Sequence, residues 1–171
     1  MLKKLFCISV LYTIVASTSS VSVEESFSRY YAKNAPVSME IPDGWVIETA
    51  TDQYGVFDAI DSVNSRLIIV SDQYFDEKDG LDERFQLFVD ELSAYEWDVK
   101  DISVGRAMLG NHPAKWVVQS HYFDTKHMIG INYVVVVGKH EYFIGGFSLA
   151  EEFEKNRPLL ERIIKSTQIE K

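Results

Sequence analysis

Tyr133-Val134-Val135-Val136-Val137 is apolar at five consecutive positions. Successive side chains of a strand point to opposite faces, so a run without polar alternation has to bury both. Such a strand belongs in the middle of a sheet, with helices above and below it. The flanking sequence supplies the sheet. Ile102 to Leu109 leads into the turn Gly110-Asn111-His112-Pro113, and Lys115 to Phe123 returns. Asp124 to Ile129 reads as a loop, and Ile131 to Val137 joins Glu141 to Phe147 through Gly138-Lys139-His140. Four strands in a row, with short glycine-bearing turns at two of their three connections, make a meander.

The first half adds more strands and one helix. Val37 to Ile41 alternates apolar and polar, Pro42-Asp43-Gly44 is a turn, and Trp45-Val46-Ile47 continues extended. Tyr54 to Ile60 and Arg66 to Ser71 read as a hairpin across Asp61-Ser62-Val63-Asn64-Ser65. After the acidic loop from Asp72 to Gly80 the period changes. Phe85, Phe88, Val89, Leu92 and Tyr95 form one face of a helix from about Leu81, with Asp79 as N-cap and Phe88 almost wholly buried at mid-stripe. A last helix is expected from about Leu149, interrupted near Pro158 and resumed through Leu159, Leu160, Ile163 and Ile164. Strands, a helix, a meander and a helix specify an α+β fold: an α/β/α sandwich with a central, mainly antiparallel sheet flanked by helices.

A chain of 171 residues without internal repeats is one domain's worth. Its 46% apolar and 13% aromatic content excludes a disordered chain. The formal net charge of −9 argues against nucleic acid or an anionic membrane as partner, since both require a basic footprint.

Residues 1–20 read as a secretory signal peptide. Lys3 and Lys4 open it, Leu5 to Val15 is its apolar run, and Ala16 to Ser20 offers small residues for a peptidase. The run is too short for a membrane span, and no other stretch is long enough, so no span is expected after cleavage. Cleavage removes Cys7, the single cysteine, and leaves a cysteine-free domain that has to be stabilised by its core. Residues 21–35 are expected as an N-terminal tail or short helix, and 36–171 as the domain proper.

Three short segments resemble one known family. Met39-Glu40-Ile41-Pro42-Asp43-Gly44-Trp45 is similar to its opening strand and Pro-x-Gly-Trp turn. Leu109-Gly110-Asn111-His112-Pro113-Ala114 resembles its hairpin Gly-x-x-Pro-Ala, and Glu152-Phe153 through Ile163-Ile164-Lys165-Ser166 resembles its terminal helix. Together they resemble the PsbP-like superfamily, which includes small secreted bacterial proteins of the DcrB type, over about Pro36 to Lys171. The resemblance implies an α/β/α sandwich that binds or supports other proteins, and it transfers no functional residue to this chain.

The candidate chemistry is sparse. Gly146-Phe147-Ser148-Leu149-Ala150 is near the nucleophile elbow Gly-x-Ser-x-Gly, but a hydrolase triad needs a histidine after the serine, and the last one is His140. Ser148 with Glu151 reads better as a capping box for the last helix. Asp76-Glu77-Lys78-Asp79-Gly80 fails as a calcium loop, because the first ligand position is Phe75 and the twelfth is Gln86. His121 and His127 bracket a loop. His112 and His140 lie in turns that a meander brings to the same end of the sheet, about 10 Å apart. They are the weak metal candidates, without a third ligand in view. No nucleotide, dinucleotide or zinc motif occurs, so no cofactor is expected. Trp45, Trp97 and Trp116 read as core.

The expectation is a secreted or periplasmic, non-enzymatic accessory or binding protein of the cell envelope. It would act as a monomer through contacts with another envelope protein. The alternative is a small-ligand or metal carrier using an aromatic pocket or the turn histidines. A deep pocket with converging polar groups would favour the carrier, and a shallow surface with an exposed apolar patch the binding module.

Overall fold

The computed structural model describes residues 25–50, 53–76, 79–94, 100–123 and 125–170. Strands β1 (Phe27–Tyr31), β2 (Val37–Pro42), β3 (Val46–Glu48), β4 (Gly55–Asp61) and β5 (Arg66–Tyr74) precede helix α1 (Leu81–Ala94). Strands β6 (Lys100–Leu109), β7 (His112–Phe123), β8 (Lys126–Val137) and β9 (His140–Leu149) follow. A 3₁₀ turn (Ala150–Glu152), helix α2 (Phe153–Lys165) and the short β10 (Gln168–Ile169) end the chain. The expected signal peptide, Tyr95 and Trp97 lie outside the described residues.

The fold is α+β and mainly antiparallel sheet. The larger sheet runs β3-β4-β5-β9-β8-β7-β6, and its second half is the expected meander. Two-residue turns close β6–β7 and β8–β9, with Gly110 at φ +54° and Gly138 at φ +65°. Positive φ at the first central residue alone marks a type II′ turn, whose twist suits the flanking strands, and glycine adopts it without strain. β5 pairs along its whole length with β9 and joins the two halves of the chain. β8 lies between β9 and β7, and its residues from Gly130 to Val135 are buried on both faces, as the valine run requires.

One face of this sheet carries the main core. Ile68, Ile131, Tyr133 and Ile144 pack with Leu160, Ile163 and Ile164 of α2. A second, three-stranded sheet, β1-β2-β10, closes on the same core through Val37, Met39 and Ile41, and Tyr30 meets Phe57 edge-on at 4.8 Å. The other face is covered by α1, through a smaller cluster of Phe85, Val117 and Val134. The layering is therefore less symmetrical than the sequence suggests. One face has a helix alone, and the other a helix plus a small sheet.

Five local expectations are corrected. The loop expected from Asp124 to Ile129 is mostly strand, because β8 starts at Lys126 and pairs with β7 from Phe123↔Lys126 to Ser120↔Ile129 and beyond. The tail or short helix before Pro36 contains β1, which pairs antiparallel with β2 from Phe27↔Pro42 to Tyr31↔Ser38. Asp43 accepts hydrogen bonds from the Ser26 and Ser28 hydroxyls at 2.6 and 2.8 Å and pins the start of β1. A free edge on β2, which is a tertiary feature, overrode the weak local signal.

The last helix is not interrupted at Pro158. α2 runs through it, because Pro158 and Glu154 both lie on the exposed side, where water can satisfy the freed Glu154 carbonyl.

Ser148 is no cap. It is fully buried in β9, which continues to Leu149, and its hydroxyl donates to the Leu149 carbonyl at 3.1 Å. The helical path starts at Ala150, and neither the 3₁₀ turn nor α2 has a side-chain cap.

Asp79 is not the N-cap of α1 either. The Gly80 carbonyl accepts the first intrahelical bond, from the Arg84 N–H at 3.0 Å, so Gly80 occupies that position.

Candidate functional site: the open edge of the large sheet

α1 sits on β7 and β8 and is held there by Phe85, which is 4% exposed. The Lys115 ammonium lies 4.4 Å from the centroid of the Phe85 ring. Phe88, expected to be almost wholly buried, is partly exposed and leans on Phe143 with ring centroids 5.0 Å apart. The helix crosses the sheet so that its stripe meets the strands at Phe85, while Phe88 lies toward the margin of the contact. Arg84 carries its charge down to the sheet. Its Nε donates to Glu141 at 2.5 Å, and the guanidinium lies 4.6 Å from the Phe75 ring centroid. Burial pushes the Glu141 carboxyl up, against the opposing pull of Arg84.

The cover stops short of β6. Between α1 and the β6–β7 edge runs an open groove of about 370 Å³, lined by Phe85, Val89, Val104, Gly105, Arg106 and Lys115. Asp82, in the first turn of α1, bridges its mouth: Arg106 donates to it at 2.7 Å and Lys115 lies 3.2 Å away. These two cations hold the Asp82 carboxyl below its ordinary range. Val104 in its outer wall and Met108 beyond it stand 61% and 57% exposed.

No described strand pairs with the outer edge of β6. At ten residues it is a long open edge, whereas the opposite edge, β3, has three. Long edges with apolar side chains template pairing with another chain, and natural proteins usually blunt them. Gly105 belongs to the same construction. A Cβ there would fall 2.5 Å from the Trp116 ring, which crosses β6 on the opposite face. Trp116 packs against the main core, as expected.

The turn histidines do emerge at one end, because β7 and β9 flank β8. Each has a partner of its own. His112 Nε2 lies 3.4 Å from the Ile169 carbonyl of β10, and His140 Nδ1 lies 2.8 Å from Asp72 Oδ1 in β5. Tyr142 stacks beside His140, and burial, then the Asp72 charge, pushes its phenol up to about 12. Among the described residues no group of three or more His, Cys, Asp or Glu is placed to hold a metal ion.

Sequence reasoning passed over two further arrangements. Ser120 Oγ lies 2.6 Å from His127 Nε2 on the exposed end of β7–β8, and Tyr122 stacks on that imidazole. Cross-strand register sets this contact, and one strand read alone does not show it. A second cleft, of about 320 Å³, opens at the β4–β5 hairpin between Ile60, Leu67, Lys126 and Met128. Its charged pair serves the hairpin itself. Asp61 accepts from the Val63 and Asn64 N–H groups and from Arg66 Nε at 2.8 Å, and the guanidinium faces Trp45 at 5.3 Å. Burial raises the Asp61 carboxyl, but the bonds from Asn64 and Arg66 outweigh it and hold the group below its ordinary range.

This architecture is the PsbP-like fold, in agreement with the resemblance of the three sequence segments. The solution structure of cyanobacterial PsbP (CyanoP) from Synechocystis superposes with a TM-score of 0.65 at 11% identity, over 91% of this chain and 99% of that one. LpqN of Mycobacterium tuberculosis, described as involved in cell envelope biogenesis, gives 0.62 at 13% identity, over 84% and 90%. The Ran-binding protein Mog1p of Saccharomyces cerevisiae gives 0.61 at 9%, over 85% and 96%. Identities this low establish the fold alone. No family model matches the chain, and no curated protein matches it. Among the described residues no helix is long and apolar enough to cross a membrane.

Proposed function

We propose that this chain is a secreted or periplasmic accessory protein of the cell envelope, without catalytic activity, that binds another envelope protein. The observation that carries this reading is the open β6 edge, with Val104 and Met108 exposed beside a groove that α1 leaves uncovered. An apolar, unpaired edge of this length is costly to leave open unless it is used. The expected signal peptide supports the location, and the acidic balance argues against a nucleic-acid partner. Two proteins of the same fold are described by a role in envelope biogenesis and by binding of a protein. We read the architecture as an α/β/α sandwich whose α2 layer is widened by the small sheet. The carrier alternative has less support, since both turn imidazoles are already engaged and the clefts are open.

A photo-crosslinking residue placed at Val104 in cells tests the proposal, with Val63, 89% exposed on the β4–β5 turn, as control. Discrete adducts to one envelope protein from Val104 and none from Val63 are expected. No adduct from Val104, or the same adducts from both sites, refutes it.

A further inference from the structure

The backbone of β6 defines what its edge can accept. Leu109 and His112 flank the two-residue turn and form its closing pair, so they exchange both ladder bonds. Alternation makes Ala107–Ala114 and Gly105–Trp116 the next bonded pairs. The N–H and C=O groups of Met108, Arg106 and Val104 therefore point away from β7, toward the open edge. These same residues carry their side chains on the α1 face. Arg106 reaches Asp82 on α1, and Val104 lies opposite Val117, which is buried under that helix. An added strand would find three outward backbone stations, whose side chains read apolar, cationic, apolar.

The charge at the middle station is unbalanced. Arg106 and Lys115 share the single carboxylate of Asp82, and the Arg106 side chain is 67% exposed. A second carboxylate opposite Arg106 would complete the pairing, and opposite charges across a strand pair are favourable. A second copy of β6 suits the edge poorly. Antiparallel pairing centred on Arg106 sets two guanidinium groups face to face.

We propose that the β6 edge receives an extended segment of the partner with the pattern apolar-x-acidic-x-apolar. The acidic side chain sits at Arg106, one apolar side chain enters the groove beside Val104 and Phe85, and the other covers Met108. The pattern reads the same in both directions, so it serves a parallel or an antiparallel guest. The proposal rests on the binding reading above and names the chemistry of the partner. Main-chain bonds supply affinity, and the three side-chain stations supply specificity.

The probe is a fluorescein-labelled heptapeptide, Thr-Val-Thr-Glu-Thr-Val-Thr, titrated with the full-length protein and followed by anisotropy. Saturable binding is expected, weakened at least about tenfold by Arg106→Glu and restored when the peptide carries Lys in place of Glu. Met108→Pro removes an outward N–H while leaving the β6–β7 ladder intact, and it should abolish binding. Thermal melts of both variants show that they are folded. Absence of binding up to about 1 mM protein, or equal affinity for wild type and both variants, overturns the proposal. If the peptide fails while the Val104 crosslink still captures one envelope protein, strand addition is wrong and the binding reading stands.

Discussion

Truncating Phe85 and Phe88 separately measures how α1 is attached. Phe85 is 4% exposed and packs with Val117 and Val134. Emptying such a site costs about 3–5 kcal/mol, including the cavity left behind. The Lys115 contact over the ring adds about 0.5–1 kcal/mol, because that ammonium is only partly in water. Phe88 is only partly exposed, so Phe88→Ala forfeits most of the transfer free energy of a phenyl group, about 1.5–2.5 kcal/mol, without leaving a closed cavity. Glu91 is exposed, and Glu91→Ala should change stability by no more than about 0.5 kcal/mol. In urea a domain of this size loses about 2 kcal/mol per molar denaturant. The midpoint should therefore fall by about 2–3 M for Phe85→Ala, by about 1 M for Phe88→Ala and negligibly for Glu91→Ala. A total stability of about 5–15 kcal/mol leaves the Phe85 variant measurable but weak at 37 °C. Equal shifts for the two phenylalanines, or a larger one for Phe88, would refute the placement of α1 and with it the groove.

Gly105→Ala forces the Trp116 ring to move, because the new Cβ would lie 2.5 Å from it, and should cost about 1–3 kcal/mol with a changed near-UV circular dichroism spectrum. An unchanged spectrum and melt would mean that Trp116 does not cross β6. Asp61 is held below its ordinary value of 3.8, so its contribution is complete above that pH and is lost as pH falls through the lower folded value. Asp61→Asn should therefore flatten acid unfolding there, as urea midpoints measured from pH 5 to about pH 2 would show. Glu141 has the opposite sign. Its folded value lies above 4.5, so the stability of its protonated form is full below that pH and is lost as pH rises through the folded value. Glu141→Gln should remove that loss, and a stability difference from wild type that stays constant with pH would contradict it.

The sequence by itself determined the local elements, because their signals are local. The valine run made β8 a strand buried on both faces, Gly110 and Gly138 marked the places of the two turns, which the structure shortens to two residues, and the 3.6-residue spacing from Phe85 to Val89 made α1 a helix. Tertiary structure alone decided the features that depend on a partner distant in the chain. β1 formed because β2 offered an edge, and β5 found β9 across the intervening helix and meander. Phe85 rather than Phe88 became the anchor because the crossing position of α1, which its own period does not contain, selects the covered residue. His112 and His140 were legible as neighbours at one end of the sheet. Their separate engagement depended on β10 and β5, which local pattern does not connect to them. The open edge of β6 was the least legible of all. The same alternating strand reads alike at a margin and in the middle, and the packing order of seven strands left this one with β7 on one side and no described strand on the other.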